Sequence, residues 1–283
     1  MKKNKFYIAA LMALATSIVA LPSCSMLGGQ NASSQQGTTM VYTAPPRTEP
    51  PTTEEPTTVP VKGTATTEDE NGVTRYYVNG ELQTDTVVED ENEQHFYVGS
   101  DGTVDHGYCD GVTVGEEKWI VIEGSAYPVV TESDDVLFAA AQAVAKCTDS
   151  SMKREDKLRP AFDYIKENYL EGVRHNPPIP YDDPEWPVIY ASDILINGKG
   201  DCYSFGAAFA YMGRAMGFEE SYAVNSGGHG WAEIDNRTYD PEWSMHSNNY
   251  SYFGMRYDEE CDVPYASAIE SYTDQKRRQV PIN

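Results

Sequence analysis

The stretch from about Gly28 to Gly63 sets the first limit on what this chain can fold into. It is dominated by Ser, Thr, Gln, Pro, Gly and Glu. Ordering each residue costs roughly 1–2 kcal/mol of backbone entropy, and a segment with so few large apolar side chains has little burial to set against that cost. It reads as an extended tether. A packed core must therefore come from residues 64–283. Before the tether, Lys2, Lys3 and Lys5 precede an apolar run from Phe6 to Leu21. The run is shorter than the ~20 residues that cross a bilayer, and it ends at Leu21-Pro22-Ser23-Cys24.

That leader, residues 1–24, resembles a bacterial lipoprotein signal, in which the Cys becomes the lipidated first residue of the mature protein. The resemblance implies a lipid on Cys24, an extracellular location at the cell surface, and membrane contact only through the anchor. The alternative is an ordinary cleaved signal with Cys24 incidental. Residues 25–63 would then hold the folded part away from the membrane. The net charge of −23 opposes contact with phosphate backbones, so no nucleic-acid partner is expected.

Residues 64–130 form a distinct region. Arg75-Tyr76-Tyr77-Val78-Asn79-Gly80, His95-Phe96-Tyr97-Val98 running to Asp101-Gly102, and Lys118-Trp119-Ile120-Val121-Ile122-Glu123-Gly124 share one pattern, an aromatic strand closed by a Gly turn. The glycines fall at 80, 102 and 124, a regular step. The pattern resembles the aromatic repeats of Gram-positive cell-wall- or glucan-binding modules, which implies a wall glycan as partner. A small β-domain that spaces or packs on the C-terminal half fits the residues as well.

Residues 131–283 begin with helical periodicity. Ser133 is a candidate cap for a run with Val136, Leu137, Ala140, Val144 and Cys147 at helical spacing. A second helix carries Leu158, Phe162, Ile165 and Tyr169 on one face and is expected to stop at Gly172, with Pro160 in its first turn. A Pro-rich loop with Tyr and Trp spans Asn176 to Pro187. After Gly198-Lys199-Gly200-Asp201, a helix opens at Cys202 with Phe205, Phe209, Met212 and Met216 as its apolar stripe and Gly217 as its end. A thiol at a helix start is favoured as thiolate, the attacking species in cysteine chemistry. Helix-start N–H groups can also steady an oxyanion.

Two further segments supply partners. A strand from Ser221 to Val224 leads into Gly227-Gly228-His229-Gly230-Trp231-Ala232-Glu233-Ile234. Asp235-Asn236 makes a two-residue turn, and Arg237-Thr238-Tyr239-Asp240-Pro241 is the return strand. In that register Trp231 faces Asp240, and Asp240 is the diagonal neighbour of His229. Glu242 then lies opposite His229 as the rival carboxylate.

Gly198-Lys-Gly-Asp-Cys202-Tyr203, His229-Gly-Trp-Ala-Glu and Tyr239-Asp240-Pro241, in this order, resemble the transglutaminase-like superfamily over about Asp135 to Asp262. The resemblance implies an α+β fold: a papain-like transglutaminase core, helices packed on an antiparallel sheet, here preceded by the small β-hairpin-rich domain. It implies Cys202 as nucleophile, His229 as base and Asp240 as its orienter. It also puts Trp231 against the active site, so Trp231 and Tyr203 are the candidate substrate contacts. Tyr190 or Trp186 could supply an oxyanion donor. The substrate would be a peptide or protein amide, attacked to give a thioester that water or an amine resolves. Water gives a peptidase or amidase, the expected outcome, and an amine gives a cross-linking transglutaminase. The remaining alternative is a non-catalytic protein that binds wall or partner.

No Cys-x-x-Cys pair and no His pair at zinc spacing occurs, so neither metal nor cofactor is expected. His95, His106, His175 and His246 show no partner pattern and read as surface or packing residues. With Cys24 lipidated and Cys202 catalytic, Cys109, Cys147 and Cys261 remain, either as free thiols or with one disulfide among them.

Overall fold

The computed structural model describes residues 73–176, 178–180, 182–257, 259 and 278–283, together with two short strands, β1 (Val61–Lys62) and β2 (Thr66–Glu68). Cys24, Cys261 and the tether up to residue 60 lie outside the described residues. The tether's expected end is revised: Val61 and Lys62 pair in parallel with Val88 and Glu89 and so extend a sheet edge.

The aromatic repeats form strands β3 (Thr74–Val78), β4 (Glu81–Leu82), β5 (Thr86–Glu89), β6 (His95–Val98), β7 (Asp110–Val114), β8 (Glu117–Ile122) and β9 (Ser125–Pro128). β2, β3 and β4 make a three-stranded sheet, and the order β1-β5-β6-β9-β8-β7 makes a six-stranded one. The regular glycine step has a backbone cause. Gly80, Gly102 and Gly124 all sit at φ near +80°, and Asn79 and Glu123 before two of them also have positive φ. Both central residues of a type I′ hairpin turn need that conformation, and glycine adopts it without strain. In β8, Ile120 and Ile122 face the large core, while Trp119 joins Val87 and Ala126 in a separate cluster, as alternate residues of a strand must.

The second half runs α1 (Glu132–Ala145), α2 (Arg154–Asn168), β10 (Leu170–Glu171), α3 (Trp186–Leu195), β11 (Lys199–Gly200), α4 (Cys202–Ala215), β12 (Ser221–Asn225), β13 (Gly230–Ile234), β14 (Arg237–Tyr239), α5 (Pro241–His246), β15 (Phe253–Met255) and β16 (Arg278–Pro281). Five strands in the order β15-β14-β13-β12-β16 form an antiparallel sheet. The result is an α+β arrangement of helices and mainly antiparallel sheets. The halves share one core: Cys109, Ile120 and Ile122 belong to the same apolar cluster as the helices, and a Cβ on Gly111 would meet the Phe138 carbonyl at 2.6 Å.

Three local expectations are corrected. The cap of α1 is Thr131, not Ser133: Thr131 Oγ1 accepts the Asp134 N–H, and the Asp134 carboxylate accepts the Thr131 N–H, a reciprocal capping box. Pro160 lies inside α2 rather than in its first turn. The burial of Leu158, Ala161, Phe162 and Ile165 outweighs the one hydrogen bond that the proline removes. α2 also stops at Asn168, before Gly172, because Leu170 and Glu171 pair with Lys199 and Gly200.

α4 is buried almost all round, not only along its Phe205/Phe209/Met212 stripe. Gly206, Ala207, Ala208 and Ala210 on its other faces let neighbouring elements approach closely. This puts the Cys202 helix at the centre of the layer, between α1 and α3 on one side and β12–β13 on the other.

Candidate active site

Cys202 is the first residue of α4 and is buried. Asp201 caps the helix, and its Oδ1 accepts the N–H groups of Tyr203 (3.1 Å) and Ser204 (3.3 Å). Two of the helix-start donors are thus taken by a carboxylate. Burial, aided by the nearby charge of Asp193, raises the Asp201 carboxyl above its ordinary range. A carboxylate beside the thiol works against a thiolate, so a positive partner has to supply the balance.

The candidate is His229, which leads directly into β13. That strand lies against the first turns of α4 with no side chain between. A Cβ on Gly230 would stand 2.8 Å from the Tyr203 Cα, and one on Gly206 would stand 2.5 Å from the Trp231 Cα. His229 precedes Gly230 as Cys202 precedes Tyr203, so this backbone contact places residue 229 beside the N-terminal end of α4. A tight loop at Gly227-Gly228 holds it there. The Ser226 N–H donates to the His229 carbonyl at 3.0 Å, and the Gly227 N–H, at φ +81°, donates to Asn225 Oδ1 at 2.7 Å.

His229 Nε2 meets Asp240 Oδ2 at 2.5 Å, and Asp240 is wholly buried. With Nε2 held by the carboxylate, Nδ1 is the ring nitrogen that can take a thiol proton. The turn Asp235-Asn236, both residues at positive φ, sets the register Ala232↔Tyr239 that aligns the two segments. The return strand, however, is shorter than its sequence suggests. β14 ends at Tyr239, and Asp240 instead caps α5: its Oδ1 accepts the Trp243 N–H at 3.0 Å and its own N–H donates to the Tyr252 carbonyl at 2.9 Å. Pro241 has no N–H to extend the ladder and fits the first turn of a helix. One carboxylate therefore fixes both the imidazole and the helix that covers it.

This change of direction moves Glu242 out of the position opposite His229 and into the first turn of α5. There its carboxylate lies within 4.8 Å of donor atoms of His229 and Asp240 on one side, and of Glu171 and His246 on the other. Burial, with the charges of Asp240 and Glu171, pushes the Glu242 carboxyl up to about 7, while His229 and His246 pull it down.

Trp243 was not singled out in the sequence, yet it covers one face of the imidazole. Its ring stacks on His229 with centroids 3.9 Å apart and planes 8° from parallel. Pro241 at the start of a short helix is the one cue that could have pointed to it, by turning residue 243 back over the strand. Trp231 flanks His229 at 6.0 Å and is almost fully buried, so it acts on the site through the ring it supports. Its Nε1 donates to Tyr257 Oη, which donates in turn to Glu233. Tyr203 is half-buried and packs with Tyr190 at 5.2 Å and Trp186 at 6.4 Å. The Tyr190 hydroxyl is pushed up to about 12, chiefly by burial and then by Asp201 and Cys202, whose charges reach it. It accepts the Ile179 N–H. The Trp186 indole N–H, by contrast, is buried with no hydrogen-bond partner among the described residues. An unpaired buried donor costs on the order of 1–3 kcal/mol.

His175, read as a packing residue, bonds to buried Asp193 at 2.7 Å, and Ser204 Oγ donates to the same carboxylate at 3.4 Å. His246 bonds to Glu171 at 2.6 Å. Among the described residues, Cys109, Cys147 and Cys202 form no disulfide. Compared with known protein families and with curated proteins, the sequence matches none.

Proposed function

We propose that the chain is an extracellular, lipid-anchored cysteine acyl-transfer enzyme of the transglutaminase-like kind, with a papain-like core, that hydrolyses amide bonds. The observation that carries this reading is the buried His229–Asp240 pair, with the Cys202 end of α4 packed against the strand that follows His229. Asp240 holds the imidazole in one tautomer and steadies its positive charge. His229 Nδ1 takes the Cys202 proton, and the thiolate attacks the amide carbonyl. The Trp186 N–H is the candidate donor to the oxyanion. The tetrahedral adduct collapses to a thioester as the amine leaves with the proton from His229. Water then attacks the thioester, His229 takes its proton, and the acid and free thiol are released. Trp243, flat on the ring, limits imidazole rotation.

The test is intact mass after exposure to an electrophilic peptide probe, on the wild type and on Cys202→Ala. One adduct on the wild type and none on the variant supports the reading. Equal labelling of both, or no labelling of either, refutes it.

A further inference from the structure

The sheet region carries a cavity of about 740 Å³, and no triad residue lines it. Its size suits a small-molecule or oligomer site. Three tyrosines, Tyr76, Tyr97 and Tyr108, and three aspartates, Asp85, Asp101 and Asp105, shape the wall. Tyr97 and Tyr108 stack at 5.5 Å with planes 22° apart, so they form one aromatic pair. The carboxylates are held in place by their own turns. Asp101 Oδ1 accepts from the Thr103 N–H (3.0 Å) and hydroxyl (2.8 Å), and Asp105 Oδ1 accepts the Gly107 N–H at 2.9 Å. These bonds use one oxygen of each. Arg75, outside the lining, contributes the smallest of the effects that lower the Asp101 carboxyl, so all three aspartates can supply negative charge. Among the described residues that line the cavity there is no Lys or Arg, and His106 is the one basic side chain.

Half-buried tyrosine rings offer a flat apolar face that suits the C–H face of a pyranose, and the same faces attract cations. A neutral saccharide can give these aspartates hydroxyl hydrogen bonds but no balancing charge. A ring that also carries an ammonium group satisfies both features. We infer that this cavity binds a saccharide bearing free amino groups, the ring stacked on Tyr97 and Tyr108 and the ammonium paired with Asp85 or Asp105. This inference sharpens the glycan reading of the repeats and does not rest on the acyl-transfer chemistry.

The test is calorimetric titration of the whole protein at pH 6 with a glucosamine trimer, an N-acetylglucosamine trimer and trilysine. The glucosamine trimer is expected to bind, with the N-acetylated trimer and trilysine at least tenfold weaker. Asp85→Asn should weaken glucosamine binding at least tenfold. Asp85 has φ 49°, a conformation asparagine tolerates, so the change removes charge without straining the turn. Tyr97→Leu should cause a similar loss, and circular dichroism checks that both variants are folded. Equal binding of the two sugar trimers would replace the inference with a neutral-glycan groove. Trilysine binding as tightly as the glucosamine trimer would replace it with a general cation site. No binding of the glucosamine trimer, or full affinity in folded Asp85→Asn, overturns it.

Discussion

Glu242 makes the stability of this fold depend on pH in a direction opposite to that of an ordinary carboxylate. Its carboxyl, ordinarily at 4.5, is pushed up to about 7, first by burial and then by the negative charges of Asp240 and Glu171. The folded state therefore holds the Glu242 proton more tightly than the unfolded chain does. This stabilisation is fully present below pH 4.5 and is lost as the pH rises through 7. At about 1.4 kcal/mol per pH unit, the ionised form is disfavoured by on the order of 3 kcal/mol. Glu242→Gln keeps the shape and removes the ionisation. At pH 8 the variant should be more stable than the wild type by up to about 3 kcal/mol, roughly 6–12 °C in Tm for a fold of this size. At pH 4.5 the two should coincide. Urea unfolding of both proteins from pH 4.5 to 8 is the assay. Parallel curves would refute the reasoning, because they would mean that Glu242 titrates in the folded protein as it does in water.

Other changes probe the site. Cys202 should alkylate far faster than Cys147, whose thiol burial pushes up to about 11, and His229→Ala should slow Cys202 alkylation and raise its pH midpoint; mass-resolved iodoacetamide kinetics reads both. Asp240→Asn should preserve the fold, since Asn can still cap α5, but cut turnover by orders of magnitude as the imidazole loses its orienting charge. Gly230→Ala would drive a methyl to 2.8 Å from the Tyr203 backbone and should slow Cys202 alkylation more than it lowers Tm. Trp243→Ala should reduce turnover at least tenfold by freeing the imidazole to rotate, with a smaller effect on substrate KM. Cys24→Ala should release the protein into the medium, read by fractionation.

Much of this architecture is local and so legible in the residues themselves. The regular glycine step marks turns because left-handed backbone is needed there whatever the surroundings. The Asp235-Asn236 hairpin and its register depend on a dozen adjacent residues, as do the Asp201 cap and the helix that opens at Cys202. The site's finer geometry depends on contacts that sequence spacing does not encode. Asp240 leaves the strand because capping α5 and receiving His229 satisfy both its oxygens at once, and that turn carries Trp243 onto the imidazole and Glu242 into a half-buried, crowded place. The His175–Asp193 bond and the Lys157 ammonium, which donates to the Gly107 carbonyl at 2.6 Å, likewise join segments 18 and 50 residues apart. Sequence by itself determined helices α1, α2 and α4, the glycine and Asp235-Asn236 turns and the order Cys202, His229, Asp240, because short-range sterics and periodicity suffice for these, but not α3 or α5. Only the tertiary structure decided which side chains are buried beside which charges, because burial and pairing are properties of the packed whole.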